Sequence, residues 1–133
     1  LQAAWLLVKL KRLDRWNQAR RKHAAAYDRA FADLPLQTPH IPKNCVSNQH
    51  LYSIQTDRRD TLSRYLGKRG IGNGVYYPLG LHLQPCYRSL GYKKGDFPLS
   101  ERVASRILSL PMYAEMTATQ KNAVIHEVRS FFR

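Results

Sequence analysis

From Leu1 to Leu34 the chain has neither glycine nor proline, and apolar residues recur every three or four positions. Leu6, Leu10, Leu13 and Trp16 set the stripe, and Tyr27 and Phe31 continue it. This period is that of one face of an α-helix, so the sequence predicts a single long helix from Gln2 to about Asp33. Pro35 ends it, because the residue before a proline is driven out of helical geometry. Leu1 and Gln2 offer no Ser, Thr, Asp or Asn side chain to the free amides of the first turn, which places the natural beginning of this helix upstream of Leu1.

The rest of the chain alternates short elements. Residues 34–48 carry Pro35, Pro39 and Pro42 and read as an extended surface connector. The run from His50 to Thr56 alternates and is rich in β-formers, a strand. Asp57 is placed to cap a helix over Arg58–Lys68, with Leu62, Tyr65 and Leu66 inward. Asp60 suits the positive end of that helix, and an arginine beside it is expected to brace the strand or an opposing chain. Gly70 and Gly72 stop it. Gly74–Tyr77 reads as a second strand closed by Pro78, and residues 88–97 as a loop punctuated by Gly91 and Gly95. Pro98 opens another helix, where its missing N–H costs nothing, with Val103, Ala104 and Ile107 on its apolar face. Leu108–Pro111 reads as a third strand. Thr117 or Thr119 then caps a last helix through Phe132, burying Val124, Val128 and one of the closing phenylalanines. The pattern is α/β or α+β: a small, mostly antiparallel sheet of about three strands covered by helices.

Size and composition narrow the class. A chain of 133 residues supports one domain with a modest core, and 44% apolar residues mark a globular rather than a disordered chain. No apolar run reaches the length of a bilayer span. The opening Leu1–Lys9 segment has no basic leader and no small-residue cleavage site, so it is not a signal peptide. Cys45 and Cys86 have no metal-ligand spacing and read as reduced cytoplasmic thiols, with a single disulfide as the alternative.

The formal charge of +13 invites a nucleic-acid reading. Its densest cluster is Lys9, Lys11, Arg12, Arg15, Arg20, Arg21, Lys22 and Arg29, all on the opening helix. Basic residues at helical spacing form a solvated face, and no helix-turn-helix, zinc finger or RNA-stacking signature accompanies them. A basic nucleic-acid-binding domain therefore ranks last among the readings.

Chemistry concentrates in Gly70–Tyr87, a glycine-rich segment carrying Tyr76, Tyr77, His82 and Tyr87. Hydroxyls, an imidazole and aromatic faces in so short a stretch suit a pocket for a polar ring-shaped ligand, or cap a small sheet. His50, at the start of the first strand, is a further candidate, because strand ends and their loops form ligand clefts. His23, in the basic helix, reads as solvated, and His40, in the proline connector, and His126, in the last helix, carry little functional signal. No histidine pair has metal spacing, no carboxylate pair suggests glycosidase chemistry, and no GxSxG elbow, P-loop or GxGxxG is present. Judged on its own residues, the chain lacks a complete active site.

The order of landmarks nevertheless resembles a known family. Gln2-Ala-Ala with Leu10, Leu13 and Tyr27, then His50-Leu-Tyr, Arg59-Asp60, Gly70-Ile71, Val75-Tyr-Tyr-Pro78, Leu81-His-Leu-Gln-Pro85, Tyr87, Gly95-Asp96 with Pro98, Glu101 with Ala104, Leu108-Ser-Leu-Pro111, Thr117–Gln120 and Phe131-Phe132 follow one another as in the C-terminal part of the DegT/DnrJ/EryC1/StrS sugar aminotransferases. The resemblance implies the small domain of a fold-type I aminotransferase: residues 1–33 a linking helix, 34–48 the connector, 49–133 the small α/β domain. The parent enzymes use pyridoxal phosphate to aminate a keto-sugar nucleotide. Their cofactor lysine, the acid facing the pyridine nitrogen and the stacking aromatic lie in a large N-terminal domain that this chain lacks, so it is expected to bind no pyridoxal phosphate and to be inactive alone. Substrate contact carries over to Tyr76, Tyr77 and His82, and more weakly to Tyr87 and His50. Tyr76 stands where many relatives have histidine. The implied partners are a large aminotransferase domain or a homodimer mate, with a sugar nucleotide in the complete enzyme and no membrane. The competing reading is a separate interaction module that pairs with a large-domain partner or with itself through Trp5, Leu6 and Leu7.

Overall fold

The structure, a computed structural model, describes residues 1–133. Its centre is an antiparallel pair, β1 (Tyr52–Gln55) with β2 (Ile107–Leu110), in which Tyr52 faces Leu110 and Ile54 faces Leu108. All four of those side chains are buried. The alternate positions, Ser53 and Ser109, meet on the other face, their hydroxyl oxygens 2.7 Å apart. The strand reading thus holds in its period: one face is apolar, and the other carries the serine pair beside Gln55 and Ile107.

Each strand has one further neighbour. Gln37 of the connector exchanges two backbone hydrogen bonds with Gln55, both 2.9 Å, and Gly74 exchanges two with Ser109, at 2.7 and 3.1 Å. The strand expected over Gly74–Tyr77 is therefore a single bridge, and the sheet has two strands rather than three. The reason is local. The ring of Tyr76 folds back over Gly74, so close that a β-carbon there would stand 2.7 Å from it. Pro78, lacking an N–H, then offers no donor to extend the ladder.

Around this pair lie α1 (Gln2–Phe31), α2 (Arg59–Lys68), α3 (Pro98–Arg106) and α4 (Ala118–Phe132). Tyr27, Phe31, Leu62, Leu66, Val124 and Val128 join the strand residues in one buried cluster. Fully burying each large apolar side chain contributes roughly 1.5–3 kcal/mol. The long helix forms as read, but only its second half is packed: Ala24, Tyr27 and Phe31 are its buried residues, while Leu6, Leu10 and Leu13 remain 64, 61 and 40% exposed. A 30-residue helix is about 45 Å long and outruns the body it packs against.

The helix ends differ in part from expectation. Thr117 caps α4 in a full capping box: its hydroxyl accepts from the Gln120 N–H (3.2 Å), and the Gln120 side chain accepts from the Thr117 N–H (2.9 Å). Asp57 does not cap α2. It pairs with Arg106 at 3.2 Å, and the Arg58 N–H donates instead to the Thr56 hydroxyl at 3.3 Å. Arg59 pairs with Asp60 at 2.5 Å and donates to the Ala104 carbonyl at 3.3 Å, so it braces the helix α3 rather than the strand. Residues 88–97, read as loop, begin inside a short 3₁₀ helix, Pro85–Leu90, which Gly91 ends at a φ of 77°. Cys45 and Cys86 are both free and exposed. No helix is long and apolar enough to cross a membrane.

Candidate functional site

After the bridge at Gly74 the chain leaves the sheet through Tyr76 and Tyr77, whose peptide bond is cis. The two rings are 51 and 71% exposed. With Leu81, Val103 and Ile107 they line a shallow cavity of about 210 Å³ at the Ile107 end of β2. Tyr87, on the 3₁₀ helix, lines a second cavity of about 230 Å³ with His82, Leu90, Tyr92 and Phe97. Both cavities include Leu81, so the three candidate tyrosines lie along one loop surface. Aromatic walls with exposed hydroxyls are what a sugar ring and a planar base need: apolar faces to stack on and oxygens to bond.

His82 belongs to the same loop but faces inward. Its side chain is 7% exposed, its Nε2 lies 3.0 Å from Glu101 Oε1, and its ring packs on Phe97 with centroids 4.8 Å apart. The same Glu101 oxygen accepts the Gly95 N–H at 2.7 Å. That amide bond, followed by the bond from His82, holds the Glu101 carboxyl below the ordinary range. An ionised carboxylate only accepts, so the imidazole carries its proton on Nε2.

His50 lies elsewhere. It borders a cavity of about 370 Å³ with Trp16, Arg20, Met112, Tyr113 and Glu115, near the Met112 end of β2. Tyr76 and His50 thus sit at opposite ends of one strand, and their cavities share no residue. The structure brings Tyr76, Tyr77 and Tyr87 together, buries His82 beneath them and separates His50.

Sequence reasoning missed Glu101 as a site residue, although its position in the first turn of a Pro-started helix marked it as a charge at a positive helix end. It also missed Arg69. That guanidinium stacks 3.6 Å over the Tyr65 ring and pairs with Glu127 at 2.6 Å, beside a cavity of about 550 Å³ lined by Ile71, Pro111, Tyr113 and Met116.

The residues present do not form a pyridoxal phosphate site. Such a site needs a lysine in a cavity with a carboxylate and an aromatic face. Seven of the eight lysines are exposed and Lys121 is half-buried. Of the five principal cavities, only one includes a lysine, Lys9, and it has no acidic lining residue. No cluster of histidine, cysteine or carboxylate side chains could hold a metal ion.

Comparison with known proteins decides the kinship. The DegT/DnrJ/EryC1/StrS aminotransferase family profile matches residues 1–129. The chain belongs to this family. It is 43% identical, over its whole length, to a pleiotropic regulatory protein of Geobacillus stearothermophilus, of which it covers 37%. Against the dTDP-3-amino-3,4,6-trideoxy-alpha-D-glucose transaminase of Streptomyces venezuelae it is 36% identical over 98% of the chain and 35% of the relative. The crystal structure of S. venezuelae DesV in complex with a ketimine intermediate superposes with a TM-score of 0.96 at 35% identity, over 99% of this chain and 36% of DesV. The chain therefore spans a little over a third of the length of the aminotransferase-family relatives it matches. The resemblance read from the sequence and the fold it implied are both borne out, with a sheet one strand smaller.

Proposed function

We propose that this chain is the small C-terminal domain of a pyridoxal-phosphate-dependent aminotransferase that aminates a keto-sugar nucleotide for amino-sugar or cell-surface polysaccharide synthesis. In this reading residues 1–33 are the linking helix, 34–48 the connector and 49–133 the small domain. The domain supplies substrate contacts through Tyr76, Tyr77 and Tyr87 and a face for dimer or interdomain packing. The observation that carries the reading is the near-complete superposition on DesV over 99% of this chain and only 36% of that enzyme. Bound pyridoxal phosphate supplies an imine-forming aldehyde and an electron sink. With no lysine, acid and aromatic gathered in a cavity, the chain does not hold the cofactor or transaminate alone. Two exposed free thiols fit a reducing cytoplasm.

Two measurements test this. Titration with pyridoxal phosphate, borohydride reduction and intact mass should give no single stoichiometric adduct; one adduct on one lysine would mean the chain has a cofactor site of its own. A dTDP-hexose titration followed by NMR of the tyrosine rings should shift Tyr76, Tyr77 and Tyr87. Unmoved rings at millimolar ligand would remove the substrate-contact assignment.

A second reading, a separately acting interaction module, is favoured by the exposed apolar half of α1. Trp5, Leu6 and Leu7 are 71, 64 and 64% exposed there, and with Leu10 and Leu13 they make a surface of the kind that marks a protein interface.

A further inference from the structure

The segment between His82 and Glu101 poses a physical problem. Every residue from Pro85 to Ser100 is exposed, so burial contributes little to holding this excursion in one shape. Its internal bonds are short-range: Gly91 N–H to the Arg88 carbonyl, Asp96 N–H to the Lys93 carbonyl, and Lys93 N–H to the Asp96 carboxylate at 2.8 Å. These shape turns but do not attach the segment to the sheet. The polar attachment is a single carboxylate oxygen. Glu101 Oε1 accepts from Gly95 at one end of the excursion and from His82 at the other. Its own backbone is fixed in the first turn of α3, where Glu101 N–H donates to the Phe97 carbonyl at 3.1 Å. Around it the aromatics close a small shell: Phe97 on His82, and Tyr92 edge-on to Phe97 at 5.2 Å. The shell is tight enough that a β-carbon on Gly80 would stand 2.8 Å from the imidazole.

The geometry points to Glu101 as a positioning residue, with His82 its partner: one carboxylate oxygen closes the 82–95 excursion on itself and so fixes the loop surface that presents Tyr87. His82 acts here through the loop, a role distinct from the substrate contact that the family resemblance assigns to it. The meaning of the fixed surface, a seat for a sugar nucleotide, rests on the proposed function; the positioning itself does not. Hydrogen bonds to a charged acceptor are the strong members of their class, and two sharing one part-buried oxygen are well able to hold an exposed loop.

Hydrogen exchange on the whole chain tests this. Glu101→Ala and His82→Leu should each speed exchange across residues 82–95 by about tenfold or more, with β1, β2 and α4 changing less than about twofold. His82→Gln, whose side-chain amide reaches about as far as Nε2 and donates to the carboxylate, should restore protection to within about threefold of wild type. Unchanged exchange over 82–95 in Glu101→Ala would overturn the proposal, and so would a rise shared equally by all elements. If Glu101→Ala does not fold, the His82→Leu and His82→Gln pair decides by the same criterion. A wild-type chain whose tyrosines ignore a dTDP-hexose would remove the substrate reading and leave the positioning to stand or fall on exchange alone.

Discussion

Tyr52 donates its hydroxyl hydrogen to the Asp28 carboxylate at 2.6 Å and so ties the start of β1 to the packed half of α1. The ring is wholly buried and lies 5.0 Å from that of Tyr27, whose own hydroxyl donates to the Pro111 carbonyl at 3.1 Å. Two phenols thus join three segments distant in sequence. Tyr52→Phe should cost about 1–2 kcal/mol and Tyr27→Phe about 1 kcal/mol in denaturant melts, since each removes a hydrogen bond and leaves the ring packed. Losses below a few tenths for both would show that the rings alone carry the contact.

The same pair sets an alkaline limit. Burial, chiefly, pushes the Tyr27 hydroxyl well above the ordinary tyrosine range, and burial plus the bond to Asp28 does so for Tyr52. Both pKa values are raised on folding, so the stability they contribute is complete below the unfolded value near 10 and is lost as pH rises beyond it. In a pH-jump titration of phenolate absorbance, Tyr27 and Tyr52 should ionise only as the fold opens. Full ionisation of all eight tyrosines without loss of helical signal would contradict this.

The acid limb has a different source. Arg129 grips Asp33 with two hydrogen bonds, at 2.6 and 2.8 Å, and also donates to the Ala30 carbonyl, fastening the end of α1 to α4. Those bonds from Arg129 hold the Asp33 carboxyl below its ordinary range. A depressed carboxyl contributes stability that is present above the unfolded value near 4 and disappears as pH falls below it. The melting temperature should therefore fall between about pH 5 and pH 3, and Asp33→Asn should flatten part of that slope while lowering the plateau slightly. An unchanged slope in Asp33→Asn would show that the pair is too solvated to matter.

What the sequence made legible follows the range of the forces involved. The extent of α1, the period of β1 and β2, the proline start of α3 and the Thr117 cap are local, and all can be read from spacing. Burial of α1 is not local: the stripe from Leu6 to Phe31 is periodic throughout, yet only the half over the sheet is covered. The strand expected over Gly74–Tyr77 failed because a ring two residues away, Tyr76, folds over Gly74 and stops the ladder. The candidate site divides the same way. Clustering in sequence brought Tyr76, Tyr77 and Tyr87 to neighbouring cavities, whereas His50, chosen for its place at a strand end, borders a cavity beyond the opposite end of β2. Nothing near His82 in sequence announced Glu101, because the excursion that joins them closes only in three dimensions.

The uncovered half of α1 makes the last prediction. Leu6, Leu10 and Leu13 line, with Trp16, an apolar groove of about 620 Å³ on a helix that touches nothing on that side. In water each such leucine forgoes roughly 1.5–3 kcal/mol of burial, so two copies in solution gain by pairing these faces. Sedimentation should show association that rises with concentration. Leu6→Glu with Leu10→Glu should abolish it and shift folding stability by no more than about 0.5 kcal/mol, because neither side chain reaches the core. Leu108→Ala, by contrast, should cost about 2–5 kcal/mol and leave association intact at temperatures where the fold survives. A clean monomer at high concentration would mean that the charges of Lys9, Lys11, Arg12 and Arg15 on the same helix outweigh its leucines.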